Sequence, residues 1–334
     1  MDRIASACFD QDYRWTETRR ILVVNPIAFL FPGQGSQRAG MLARLREDPN
    51  NAALVDDAQT ILGRDLGELD TADALAGTEA AQIALFIASV ASARSLERGG
   101  IEAAFVAGHS VGAFAAATTA GVIDFRDALA VVALRGHAMA QARPSGFGMA
   151  AIVGVPQSTL QTWIDGGTAR GSTLYLTNRN AARQFAVSGA DADLDALVEF
   201  ARSHGASKAM RLAVAVPSHS PLMAEVVPKL RQALKNIALK EPRAPYASNS
   251  TARLLRDSES IADDLAENVA HPVRWSEIMT ALYERGARSF VEMQPGDVLT
   301  KLAQSSFDDV RAFSLETTSV TQLRDYLISS TLHR

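Results

Sequence analysis

Ser110 sits in Gly108-His109-Ser110-Val111-Gly112, a G-x-S-x-G run whose small flanking residues permit a sharp strand-to-helix turn that exposes a hydroxyl. Such a hydroxyl attacks carbonyl carbon, and it needs a base to take its proton. Of the six histidines, His219 is the best placed. It follows an apolar run and Pro217, and it precedes Ser220-Pro221, a helix start with serine as N-cap and proline at the first helical position. His204, beside Gly205, fits a helix C-terminus instead, and His109 fits packing or hydrogen bonding within the turn. A serine at the head of a helix also meets free amides that favour negative charge on a reacting carbonyl oxygen; the Val111 amide is the first of them.

Arg135 brings a second chemistry. Over 126–142, Ala128, Val131, Val132, Arg135 and Met139 recur at helical spacing, and Leu129, Ala130, Ala133 and Leu134 make most of the circumference apolar. A guanidinium on a buried helix needs an anion, because an unpaired buried charge costs several kcal/mol. That anion is either a carboxylate of the protein or one carried by a substrate, and the planar fork of arginine suits the latter better than lysine would. The loop Gly33-Gln34-Gly35-Ser36-Gln37 is glycine-rich but has neither the lysine of a phosphate loop nor the spacing of a dinucleotide loop. Its Gln34 is placed to present an amide to the mouth of a site.

The elements that must position these residues alternate between strand-like runs and alanine-rich helices, which predicts an α/β architecture with a mostly parallel sheet. Strands are expected over 28–31, 103–107 and 289–292, and helices over 52–62, 80–98, 113–120 and 126–142. Between them, strand 149–154, helix 157–164, strands 173–177 and 184–188, helix 192–204 and strand 208–216 spell β-α-β-β-α-β, the ferredoxin-like arrangement. The expected division is an N-terminal extension at 1–20, a large α/β-hydrolase-like body at 21–143 and 215–334, and an inserted small domain at 144–214.

Composition bounds the rest. The 334 residues carry 33 basic and 37 acidic side chains, a net charge of −4, so no global positive field exists to hold a nucleic acid. The single cysteine, Cys8, rules out a disulfide scaffold. The apolar run 21–31 is too short to span a bilayer and is broken by Asn25 and Pro26, so no membrane partner is expected. Arg19-Arg20 ahead of that run imitates an export signal, but the run leads straight into a core strand, and the cytoplasm is the expected compartment.

With the pieces in place, the chain resembles the malonyl-CoA:acyl carrier protein transacylase family. The segments that carry the resemblance are FLFPGQGSQ at 29–37, AGHSVGAFAA at 107–116, RGHAM at 135–139, GMAAIVG at 148–154, VPSHSPLM at 216–223, HPVRW at 271–275 and EMQPGDVLTKL at 292–302. Through PSGFGMAAI at 144–152, NRNAARQ at 178–184 and GHSVGAF, it looks most like the epsilon subunit of malonate decarboxylase.

The resemblance implies malonyl-CoA as substrate, no bound cofactor or metal, and an acyl carrier protein or carrier subunit as partner. Malonyl transfer would then load the carrier of malonate decarboxylase or, as the alternative, an acyl carrier protein of fatty-acid or polyketide synthesis. It makes Ser110 the nucleophile, His219 the base and Arg135 the clamp for the free malonyl carboxylate. Gln34 joins the Val111 amide at the oxyanion hole, Gln82 lines the site, and a backbone carbonyl within 268–272 orients the histidine. His109, Asn180 and His271 are candidates for support around these groups.

Two positions depart from the family: Ala113 replaces a common Glu, and His271 replaces an Asn. A third difference is Arg183, which adds charge in the loop 181–184; with Arg179, Lys208 and Arg211 it offers a local basic face for an acidic carrier. The rival readings are a serine esterase or thioesterase, drawing an acid from Asp191, Asp193 or Asp195, and a non-catalytic subunit that docks a carrier.

Overall fold

A computed structural model describes residues 26–143 and 145–332. The expected extension at 1–20, residues 21–25, Pro144 at the start of the expected small domain, and residues 333–334 lie outside the described residues. Ten strands are described: β1 (Ile27–Phe31), β2 (Phe105–Gly108), β3 (Phe147–Val153), β4 (Leu174–Ala181), β5 (Gln184–Ala190), β6 (Lys208–Arg211), β7 (Tyr246–Ala247), β8 (Leu254–Leu255), β9 (Ser289–Glu292) and β10 (Arg311–Ser314).

Six of them form one sheet in the order β10-β9-β1-β2-β7-β8, parallel throughout except for the edge strand β8. Every residue of β1 is buried, as expected of a central parallel strand covered on both faces. Its side chains divide by alternation. Ile27, Phe29 and Phe31 enter a core with the helices Thr78–Arg98, Gly112–Thr119 and Phe125–Ala142. Ala28 and Leu30 face the opposite core, built on the helices Trp275–Glu284 and Val298–Ser306. The apolar stripe expected around Arg135 is real: Ala128, Val131, Val132 and Met139 are all buried with it.

The remaining four strands form an antiparallel sheet in the order β4-β5-β3-β6, with the helices Gln157–Thr168 and Asp191–Ser203 packed on a third core. Hydrogen bonds join this sheet to the larger body. The Arg179 amide donates to the Val273 carbonyl and the Val273 amide to the Thr177 carbonyl, both at 2.9 Å. Ser188 Oγ donates to the Ser218 carbonyl at 2.7 Å, beside His219.

Two local expectations change. The strand expected over 208–216 ends at Arg211; the Leu212 amide still reaches the Met149 carbonyl at 2.9 Å, and beyond it Leu212 and Val214 turn into a pocket instead of pairing. After Pro221 the chain first forms a 3-10 helix, Pro221–Val226, then the α-helix Val227–Lys235. The hydroxyl of Ser220 does not cap it but donates back to the Pro217 carbonyl at 2.6 Å, which steadies the residues flanking His219.

Candidate active site

Ser110 occupies the turn between β2 and the helix Gly112–Thr119, with φ of +55°. That left-handed conformation is uncommon for a residue with a side chain and marks a position held by its surroundings. Two glycines make the turn possible. A Cβ at Gly112 would lie 2.2 Å from the Phe31 carbonyl oxygen, and one at Gly108 would lie 2.1 Å from the Gly112 backbone. The elbow is thus wedged against the end of β1, to which the His109 amide also donates at 2.9 Å.

His219 arrives from the other half of the body, itself at φ +61°, with its amide bound to the Val269 carbonyl at 2.8 Å. Its Nε2 lies 2.8 Å from Ser110 Oγ and its Nδ1 2.5 Å from the Asn268 carbonyl oxygen. A carbonyl only accepts, so Nδ1 carries the proton and Nε2 is bare, ready for the serine proton. Burial, followed by the nearby charges of Arg135 and His109, pushes the pKa of His219 down to about 3, so the ring is neutral at physiological pH.

Arg135 is fully buried, and its partners are neutral. Nη1 donates to Gln82 Oε1 at 2.5 Å; Nη2 donates to Ser110 Oγ at 3.2 Å and to Asn268 Oδ1 at 3.3 Å. Its Nε is buried without a partner. Burial lowers its pKa to about 9, which leaves it cationic at neutral pH. Among the described residues no carboxylate pairs with it, so of the two anions the sequence allows, the protein's own is missing. Asn268 binds both groups, the histidine through its carbonyl and the arginine through its side chain.

These groups open on a pocket of about 60 Å³, lined also by Gln34, Val111, Met149 and Leu212. Gln34 Nε2 is buried with no partner, so an amide donor stands unused at the pocket wall. Among the described residues no group of three His, Cys, Asp or Glu gathers where it could ligate a metal.

The supporting candidates separate. His109 Nε2 lies 3.1 Å from Asn180 Oδ1, its ring packs at 5.5 Å from that of Trp275, and burial lowers its pKa; it braces the turn from inside. The side chain of His271, by contrast, turns outward to Glu267 at 3.1 Å. None of the three aspartates named for a hydrolase-like acid is bonded to His219. Asp191 and Asp195 pair with Arg211, and Asp193 accepts from the Thr173 amide at 2.7 Å. Half of the expected basic face is neutralised: Arg211 is taken by Asp191 and Asp195 and Arg179 by Glu277 at 3.3 Å, while Arg183 donates to the Gly154 carbonyl at 3.2 Å.

Sequence reasoning missed Asn178, which lines the pocket with a buried, unpartnered Oδ1, the side chain of Asn268, and Asn249, whose Oδ1 accepts from the Ser110 amide at 2.9 Å. Their one signal in the sequence is polarity next to apolar runs.

A model of the acyl transferase domain family matches residues 28–326. The malonyl CoA-acyl carrier protein transacylase of Bacillus subtilis is 36% identical over 286 residues, spanning 84% of this chain and 90% of that protein. Its counterpart in Escherichia coli is 35% identical over 294 residues, spanning 86% and 95%. Among solved structures, the malonyl CoA-acyl carrier protein transacylase from Coxiella burnetii superposes with a TM-score of 0.86 at 31% identity, over 92% of this chain and 98% of that one. A malonyl-transacylase in complex with its type II polyketide-synthase acyl carrier protein gives a TM-score of 0.84 at 32% identity, over 92% and 100%.

Proposed function

The chain belongs to the acyl transferase family, among its malonyl-CoA:acyl carrier protein transacylases, and from that footing we propose that it carries malonyl from coenzyme A to the phosphopantetheine-type thiol of an acyl carrier protein through an ester on Ser110. In the first step Ser110 Oγ attacks the thioester carbon while its proton passes to His219 Nε2. The negative charge that develops on the carbonyl oxygen faces the Val111 amide and the unused Nε2 of Gln34. Collapse breaks the carbon–sulfur bond, and the departing thiolate takes the proton from His219. In the second step the carrier thiol gives its proton to His219 and attacks the malonyl ester; Ser110 leaves and recovers the proton. Throughout, Arg135 grips the far carboxylate.

One observation carries this reading: a buried guanidinium with only neutral partners stands 3.2 Å from the nucleophile. A substrate carboxylate supplies the missing anion. The test is intact-protein mass spectrometry after exposure to malonyl-CoA. Wild-type protein should gain one malonyl group, keep it in buffer and lose it when carrier protein is added, and Ser110→Ala should gain none. No adduct on the wild type, or one on the variant, overturns the assignment.

The acceptor follows the relatives, which bear the transacylase name. The narrower expectation, the carrier of malonate decarboxylase, rests on the segments 144–152 and 178–184, and none of the relatives described above bears that name. Transfer assays against both carriers side by side decide between them. We also read 145–214 as a ferredoxin-like unit inserted into a hydrolase-like body at 26–143 and 215–332. The antiparallel order β4-β5-β3-β6 and the parallel order of the larger sheet support that division.

A further inference from the structure

The short strand β7 lies beside β2 in a register that pairs Val106 with Tyr246 and Ala107 with Ala247. The residues that follow, Ser248 and Asn249, therefore arrive alongside Gly108 and the elbow. Asn249 is fully buried. Its Oδ1 accepts from the Ser110 amide at 2.9 Å, and its Nδ2 donates to the Gly108 carbonyl at 2.8 Å. One side-chain amide thus spans both ends of the turn in which Ser110 is held at positive φ.

Asn249 is itself held. Asp264, on the helix Ser258–Glu267, accepts from the Asn249 amide at 3.0 Å, the Ser248 and Ser250 hydroxyls at 2.6 Å, the Ser250 amide at 3.2 Å and the Tyr246 hydroxyl at 2.8 Å. Five donors on one carboxylate fix the segment 248–250. Neither Asn249 nor Asp264 lines the pocket.

We propose that Asn249 is a positioning residue for acyl transfer, whose paired hydrogen bonds clamp the Ser110 elbow and aim its hydroxyl between His219 and Arg135. The proposal rests on Ser110 as the nucleophile. A strained conformer persists only where its surroundings over-determine it, and these two bonds supply that constraint at the serine itself. Without them Ser110 relaxes toward ordinary φ and carries Oγ away from His219 Nε2. The grip on the malonyl carboxylate is spared, because Arg135 is held by Gln82 and Asn268. The loss therefore falls on the rate of acylation and leaves the preference for malonyl over acetyl intact.

Asn249→Asp separates aiming from folding. A neutral carboxyl accepts from the Ser110 amide and donates to the Gly108 carbonyl, as the amide does; an ionised one sets oxygen against that carbonyl. The groups around it are Asp264 and Tyr246, with His109, His219 and Arg135 beyond the elbow. Asp263 and Glu267 on the Asp264 helix are paired to Arg231, and the side chain of Arg274, whose amide donates to the Asn249 carbonyl, is paired to Glu277. Asp264 is the nearest charge and has the same sign, so it disfavours ionisation of the new carboxyl.

The experiment is single-turnover formation of malonyl-Ser110, followed by quenched mass spectrometry from about pH 4 to 8, a range that starts near the ordinary aspartate value of about 3.9 and extends upward in the direction that burial and Asp264 push it. Asn249→Ala should acylate about 10- to 100-fold more slowly at every pH, with an unchanged malonyl-to-acetyl ratio. Asn249→Asp should regain rate relative to wild type as pH falls. Wild-type acylation by Asn249→Ala, or an Asn249→Asp to wild-type ratio that is flat with pH, overturns the proposal. Should Asn249→Ala not fold, the Asn249→Asp profile decides alone. A wild-type protein that forms no malonyl-serine sinks the functional reading instead, a different failure from that of the clamp.

Discussion

Arg135 is held by Gln82, Asn268 and Ser110, and none of the three can neutralise it. Each charge-assisted hydrogen bond to a substrate carboxylate contributes about 1.5–3 kcal/mol. Two such bonds predict that Arg135→Ala loses about a hundredfold or more of malonyl transfer while acetyl transfer changes far less. Parallel rates with the two thioesters check this, and equal losses would remove the clamp. The residue was legible in the sequence because a permanent charge on an apolar stripe is a local contradiction that demands a partner. Ser110 was legible for a similar reason, as its flanking glycines are neighbours in the chain. Asn249 and Asn268 were not. Each meets its target 139 and 133 positions away, and no pattern within a helix turn or strand repeat records such a meeting.

Strand, turn and helix around Ser110 form one mechanical unit, and Gly112 seats it against the carbonyl of Phe31. A methyl group there meets backbone, which cannot swing aside. Gly112→Ala should therefore cost about 1–3 kcal/mol and slow acylation as the elbow lifts from β1. Thermal unfolding beside the single-turnover rate tests both halves; a variant with wild-type melting and rate would show that the contact is dispensable. Elements of this kind were readable because apolar runs and glycine stops delimit them. The strand over 208–216 was read too long for a physical reason. Leu212, Val214 and Val216 continue the strand alternation, but they serve a pocket wall and the core where pairing partners would have been needed. With two residues, β7 is too short to show any alternation, although it leads directly to Asn249 beside the Ser110 turn.

Viewed whole, the molecule gathers its site where β1, β2 and β7 end and the antiparallel sheet leans over them, with Met149 and Asn178 as its contribution to the pocket. The α/β class and the order of elements were legible; the placement of one sheet on the other was not, since it depends on the bonds between Val273 and the strand at 177–179. Two histidines buried within this assembly set its response to acid. In the unfolded chain a histidine takes a proton near about pH 6.5, whereas folded His219 resists until about 3. His109 is shifted the same way by its burial. The folded state binds fewer protons, so the stability His219 contributes is fully present above about pH 6.5 and declines as pH falls toward about 3, with His109 acting in the same direction. Melting temperature against pH should fall less steeply in His219→Gln than in the wild type; parallel slopes would contradict it.

Behind His219 stands a peptide carbonyl, where a serine hydrolase sets a carboxylate. With a cationic neighbour as well, the imidazole becomes so feeble a proton acceptor that its clients are sorted by acidity. Ser110 escapes the handicap, because Arg135 and the helix start share its charge as the proton leaves. A cysteine-like thiol ionises near about 8.5, whereas bulk water gives up its proton far more reluctantly. On the proposed mechanism, solvent entering the acylated site is a poor client and the incoming sulfhydryl a good one, so the ester would idle on the serine instead of draining away as free malonate.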